Sequence, residues 1–256
     1  MTALAPVLAV YAAGYAALAH RVWRRRGVVR PLRAAAFALG LAAVAAALAS
    51  PLDRWADDGS LVAHMAQHEL LLNVAPVLLL LGLDAQLAAP LTRAVGGPVA
   101  RRSRGLRALA VLGAPALALA LYVGVAAAWQ VPAAYAAAAA SPVLHPLEHL
   151  TLVWIGLLFW FHLLRPLPSV RRLEPAGQAV YLLAGTLGGA LLAAVLIGAP
   201  VALYPDAVSG GIADQRLAGG LMTAVEMPLA LGVGYAVLLR AALRPRGRTG
   251  DAWLAT

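Results

Sequence analysis

Residues 61–83 read LVAHMAQHELLLNVAPVLLLLGL, an apolar run whose one formally charged residue is Glu69. The run has the length of the ~20 mostly apolar residues that an α-helix needs to cross a bilayer. His64 and His68 lie near its start, so it reads as a membrane span with a polar mouth. The rest of the chain repeats the pattern. Of 256 residues, 62% are hydrophobic and only 12% charged, and the mean hydropathy of +0.80 is far too high for a soluble domain of this size. The same template predicts spans at 3–20, 34–50, 61–83, 106–129, 144–164, 176–203 and 216–240. The expected fold is therefore all-α: one polytopic membrane bundle of about seven helices, filling 1–256 as a single integral membrane domain. The alanine-rich stretch from Tyr135 to Ala140 is expected to add a short surface helix.

A net charge of +9 invites a nucleic-acid partner, but its distribution argues against one. Every basic residue is an arginine, and all except Arg54 and Arg216 fall in four places: Arg21 to Arg33, Arg93 to Arg107, Arg165 to Arg172, and Arg240 to Arg248. These are alternate loops of the predicted bundle. The positive-inside rule puts them in the cytoplasm, with the N-terminus outside and the C-terminus inside. The basic run follows the first apolar segment instead of preceding it, so that segment is expected to be a retained span and not a signal peptide.

This orientation places the acidic loop Asp53, Asp57 and Asp58 outside, together with Asp206 and Asp214. It also brings His64, His68, His145, His149 and Asp214 to the outer ends of spans three, five and seven. Within each histidine pair the i, i+4 spacing puts both imidazoles on one helical face, ~6 Å apart along the axis. A lone intramembrane histidine is usually a helix-to-helix hydrogen-bonding residue. Two pairs at one depth are different, because desolvating four imidazoles is costly unless something binds them. A shared metal site is the expectation, with Asp214 as a further candidate ligand. Glu148, beside His149 and three residues after His145, and Glu69, directly after His68, read equally as ligands, as residues that orient the ligands, or as partners of a neighbouring helix.

The chain has no cysteine, which excludes thiolate sites, iron–sulfur clusters and disulfides. Soft donors would have to be methionines: Met65 between the first two histidines, or Met222, on nearly the same helical face as Asp214 and ~12 Å deeper. A methionine in a membrane helix is more often packing filler. Imidazole with thioether suits copper, and imidazole with carboxylate suits zinc. Glu226 lies ~18 Å down span seven from Asp214, where a charged carboxylate is expensive. It reads either as an acid bonded to a carbonyl freed by Pro228 or as a proton relay from the outer site, with His162 or His20 further in as partners.

Several motifs occur together in a recognisable order. Ser50-Pro51-Leu52-Asp53, His64-Met65-Ala66-Gln67-His68 with Leu70-Leu71 and Val74-Ala75-Pro76, His145-Pro146-Leu147-Glu148-His149, and Asp214-Gln215 with Gly219 and Met222 resemble the multi-span CtaG family of cytochrome c oxidase assembly factors, those linked to caa3-type oxidases. The resemblance implies a bacterial plasma-membrane protein that handles copper at the outer face and serves a haem–copper oxidase subunit or another copper acceptor. It further implies that Gln67, Gln215 and Asp53 orient the metal ligands. The chain departs from the family pattern at Gln130, where a histidine is common, at Glu69 and at Thr223.

Three functions fit the residues. The first is a copper-binding assembly factor. The second is an intramembrane zinc hydrolase of ceramidase-like type, in which paired histidines and an aspartate activate water. The third is a haem carrier with imidazole axial ligands. A role in copper tolerance or transport is a variant of the first.

Overall fold

A computed structural model describes residues 4–27, 30–83, 86–87, 114–164, 173–205 and 208–243, and among these there is no strand. The described residues form ten α-helices: α1 (Leu4–Arg26), α2 (Pro31–Ala49), α3 (Pro51–Asp57), α4 (Leu61–Glu69), α5 (Ala75–Gly82), α6 (Pro115–Trp129), α7 (Pro132–Ala139), α8 (Leu144–Leu164), α9 (Pro175–Gly198) and α10 (Gly211–Ala242). A single π-helical turn, Leu70–Val74, joins α4 to α5. Proline opens α2, α3, α6, α7 and α9, where its missing N–H costs nothing and its fixed φ suits the first helical turn.

Among the described residues, five helical stretches are long and apolar enough to cross a membrane: Pro31–Asp57, Leu61–Gly82, Leu144–Leu164, Pro175–Gly198 and Gly211–Ala242. The pair α6 and α7, bent by 72°, gives a sixth if it counts as one crossing. The 23-residue α1, which carries His20 and Arg21, is not among them.

Several expected boundaries shift. Asp53 and Asp57 lie on the short helix α3, not in a loop, because Ser50 accepts the Leu52 amide at 3.1 Å and restarts the chain as a helix. Tyr135 sits on α7 as expected, but its side chain is buried. The sixth predicted span stops at Gly198, just before Pro200, and the seventh is longer at 32 residues, about 48 Å. The part of the fourth before residue 114, the arginines at 93–107, 165–172 and 244–248, and Asp206 lie outside the described residues.

A π turn interrupts the span Leu61–Gly82. Pro76 cannot donate to Leu72, and its ring would crowd that carbonyl in a regular helix. The chain widens instead, and the Ala75 amide bonds the Leu70 carbonyl five residues back. The Leu72 carbonyl then presses against Gly156 of α8, where any side chain would collide with it. Close backbone approach of this kind holds membrane helices together without a hydrophobic drive between them. It recurs where Gly82 meets Phe37 between α5 and α2, and where Gly219 meets the Ala193 carbonyl between α10 and α9. The core centres on α8, with Phe159 stacked on Tyr122 of α6 at 4.0 Å and on Tyr181 of α9 at 4.8 Å.

Candidate metal centre

The depth of the first histidine pair is set by how α4 begins. Ser60 accepts the Ala63 amide at 3.3 Å, while Asp214, in the first turn of α10, accepts the Leu61 amide at 2.6 Å and the Val62 amide at 3.3 Å. Three amides that a helix start leaves without partners are thus satisfied. A tight turn delivers the chain to this point: Gly59 has φ 90°, favoured only by glycine, and its carbonyl accepts the Ser209 amide at 2.9 Å. The second pair starts in the same manner, with Ser141 accepting the Leu144 amide at 3.2 Å at the head of α8.

From these two helix starts all four imidazoles converge. Ring centroids are 4.3 Å apart for His64 and His68 and 4.5 Å for His145 and His149. Across the helices, His64 lies 5.4 Å from His145 and 5.9 Å from His149, and His68 lies 5.7 Å from His149. The Glu148 carboxylate, fully buried, reaches into the group: its Oε1 is 3.3 Å from His68 Nε2 and 3.7 Å from His64 Nε2. One donor atom each from His64, His68, Glu148 and His149 falls within 4.8 Å of all the others. His145 stands at the rim, part-exposed, with Nδ1 3.9 Å from the exposed Asp57 carboxylate. The Tyr135 ring closes the other side edge-on to His64 at 5.0 Å.

Among the described residues, the Nε2 atoms of His64, His68, His145 and His149 and both oxygens of Glu148 are buried without a hydrogen bond, and Glu148 Oε1 meets His64 and His68 only in the ion-pair contacts given above. Native interiors pair nearly all such groups, so their gathering at one point calls for an occupant. A metal fits. At bonds of 2.0–2.1 Å, tetrahedral ligands sit about 3.3 Å apart, so the widest pair here need close by roughly 1.5 Å at most.

The other expected site residues fall elsewhere. The structure does not bring Asp214 to the cluster; both its oxygens take backbone amides of α4. Met65 turns away: its sulfur accepts the Gln130 side-chain amide at 3.1 Å and it packs with Met222 in an apolar group that includes Tyr135 and Tyr204. Gln67 donates to the Ala47 carbonyl at 2.7 Å and to Asp53 at 2.9 Å, tying α4 to α2 and α3. Gln215 donates to the Leu196 carbonyl at 3.0 Å and accepts the Leu203 amide at 2.7 Å, fixing the link between α9 and α10. These residues brace the helices that carry the histidine cluster. Glu226 lines a cavity deeper in the bundle, which neither His162 nor His20 lines. Nothing in the residue pattern marks Tyr135 as a neighbour of the cluster. Asn73, with Glu69 four residues before it in an apolar run, was the visible sign of a deeper polar group.

The fold and the cluster together define an all-helical membrane protein with a buried histidine–carboxylate group at the heads of two facing helices. The profile of the cytochrome c oxidase caa3 assembly factor family, Caa3_CtaG, matches residues 9–244, and the chain belongs to that family. The resemblance carried by the motifs is thereby confirmed. No curated protein and no solved structure shows significant similarity to the chain.

Proposed function

We propose that this assembly factor holds one copper ion on His64, His68, His149 and Glu148 and passes it to a haem–copper oxidase subunit at the outer face of a bacterial plasma membrane. The observation that carries this reading is the set of buried, unpaired Nε2 and carboxylate atoms converging from two helices. Desolvating them without an occupant would cost several kcal/mol, on the order of 1–3 for each unpaired group. A carrier must also release its ion, and the rim offers a route: His145 and the exposed Asp57 lie between the buried ligands and solvent.

The outward orientation rests on the arginine distribution, which puts the heads of α4 and α8 opposite the arginine-rich loops. With α1 as a further crossing, about 35 Å long at 23 residues and docked on α2 through Tyr15 and Phe37 at 4.1 Å, the spans number seven. The N-terminus then lies outside and the C-terminus in the cytoplasm.

A zinc-dependent hydrolase is the second reading, and one observation favours zinc: the converging donors are nitrogen and oxygen only, with Met65 sulfur turned to Gln130. Elemental analysis of the purified protein, grown with and without added copper, separates the two. Copper near one equivalent, lost when His64 and His149 become alanine, supports the carrier. Stoichiometric zinc that copper does not displace, and that is lost when His64 and His149 become alanine, contradicts it.

A further inference from the structure

Below the histidine cluster a cavity of about 30 Å³ is lined by His68, Glu69, Asn73, Met222 and Glu226, among others. That is room for a water molecule or a bare ion. Two features aim carboxylates into it. The Trp160 indole can only donate, and it reaches Asn73 Oδ1 at 3.2 Å, while the Tyr122 hydroxyl donates to the same oxygen at 2.7 Å. The amide orientation is therefore fixed, and Asn73 Nδ2 must face Glu69, donating to its Oε2 at 2.8 Å. One oxygen of Glu69 is anchored; the other makes no hydrogen bond among the described residues. The π turn contributes, since Asn73 lies within it and Glu69 immediately precedes it.

Glu226 comes from the opposite side, on α10. It is only 6% exposed and makes no hydrogen bond among the described residues, including to the carbonyl that Pro228 cannot reach. Its carboxylate rests on Gly189 of α9, where even a methyl group would collide with it. Two buried carboxylates from different helices thus line one small cavity, and no lysine or arginine lines it among the described residues. Two uncompensated anions at this depth are costly, whereas one doubly charged ion cancels both.

We propose that this cavity is a second cation site, taking one divalent first-row metal ion between the carboxylates of Glu69 and Glu226. Carboxylate oxygens take divalent first-row ions, zinc among the more tightly held of them. Neither carboxylate belongs to the upper cluster.

The test is equilibrium dialysis of the full chain in detergent against zinc, followed by metal analysis. Wild type should bind two equivalents. E69Q and E226Q should each bind one, a twofold fall, and the double variant H64A/H149A should also keep one. Should E226Q prove unstable, E69Q decides alone, because glutamine still offers Asn73 an acceptor and removes only the charge. If wild type binds a single ion that E69Q loses and H64A/H149A retains, the second site stands while the upper reading fails. A single ion lost in H64A/H149A and kept in E69Q, or two ions kept in E69Q, overturns the proposal: the two carboxyls are then held as neutral acids.

Discussion

Asp214 Oδ2 accepts the Leu61 amide at 2.6 Å, so the first turn of α10 caps the helix that presents His64 and His68. The bond spans more than half the chain and sets the height of two of the clustered imidazoles from a third helix. Loss of an N-cap costs ~1 kcal/mol, and loss of a charged acceptor ~1.5–3 kcal/mol. D214A should therefore lower the thermal midpoint in detergent by several degrees while metal stoichiometry at saturation stays unchanged. A variant of unchanged stability that loses its metal would mean that Asp214 is a ligand.

Glu148 and the buried histidines should behave as one unit, and His145 as its rim. Removing a residue that only orients a ligand costs ~10–100-fold in metal affinity, so H64A, H68A, H149A and E148A should each cost more than about 100-fold. H145A should cost about 10-fold, and H20A should leave affinity unchanged, since His20 packs on Trp23 of α1. Competition titrations against a chelator of known affinity rank these variants. Equal losses for His145 and His149 would contradict the assignment of the rim.

Gly156 receives the Leu72 carbonyl that the π turn displaces. G156A must push α8 away from α4 and α5, and overpacking of this kind costs ~1–3 kcal/mol. Because Glu148 and His149 ride on the same helix, the variant should lose both thermal stability and metal affinity. Unchanged values for both would show that the contact is looser than the structure draws it.

Topology is open to labelling, because the chain contains no cysteine. Cysteines placed at Ser60 or Ser209 should react with an impermeant thiol reagent in intact cells, and cysteines at Arg25 or Leu243 should not. Reaction of the second pair alone would turn the molecule over and put the cluster on the cytoplasmic side.

How much of this was legible beforehand differs between helix and site. The apolar runs gave the spans from Leu61 and Leu144 nearly to the residue, and the start but not the end of the one from Pro175, since length and hydropathy are local properties. The π turn was hidden because Leu70 to Val74 looks the same in either helix type; only Pro76 marked the place. The i, i+4 pairs identified the four histidines, since spacing alone sets the face. The central place of Glu148 and the capping role of Asp214 were not legible. Both depend on which helix lies opposite, and that is a property of the packed bundle. Met65 was drawn to the site by its position between two ligands, but the neighbouring position on a helix points about 100° away, toward Gln130.

The central claim is that one copper ion sits on three imidazoles and one carboxylate. X-ray absorption spectroscopy of the copper-loaded protein measures that shell directly. The expected result is three to four nitrogen or oxygen neighbours at about 2.0 Å with the multiple-scattering pattern of imidazole and no sulfur at about 2.3 Å. A shell dominated by sulfur, or a protein that takes up no copper, would contradict it.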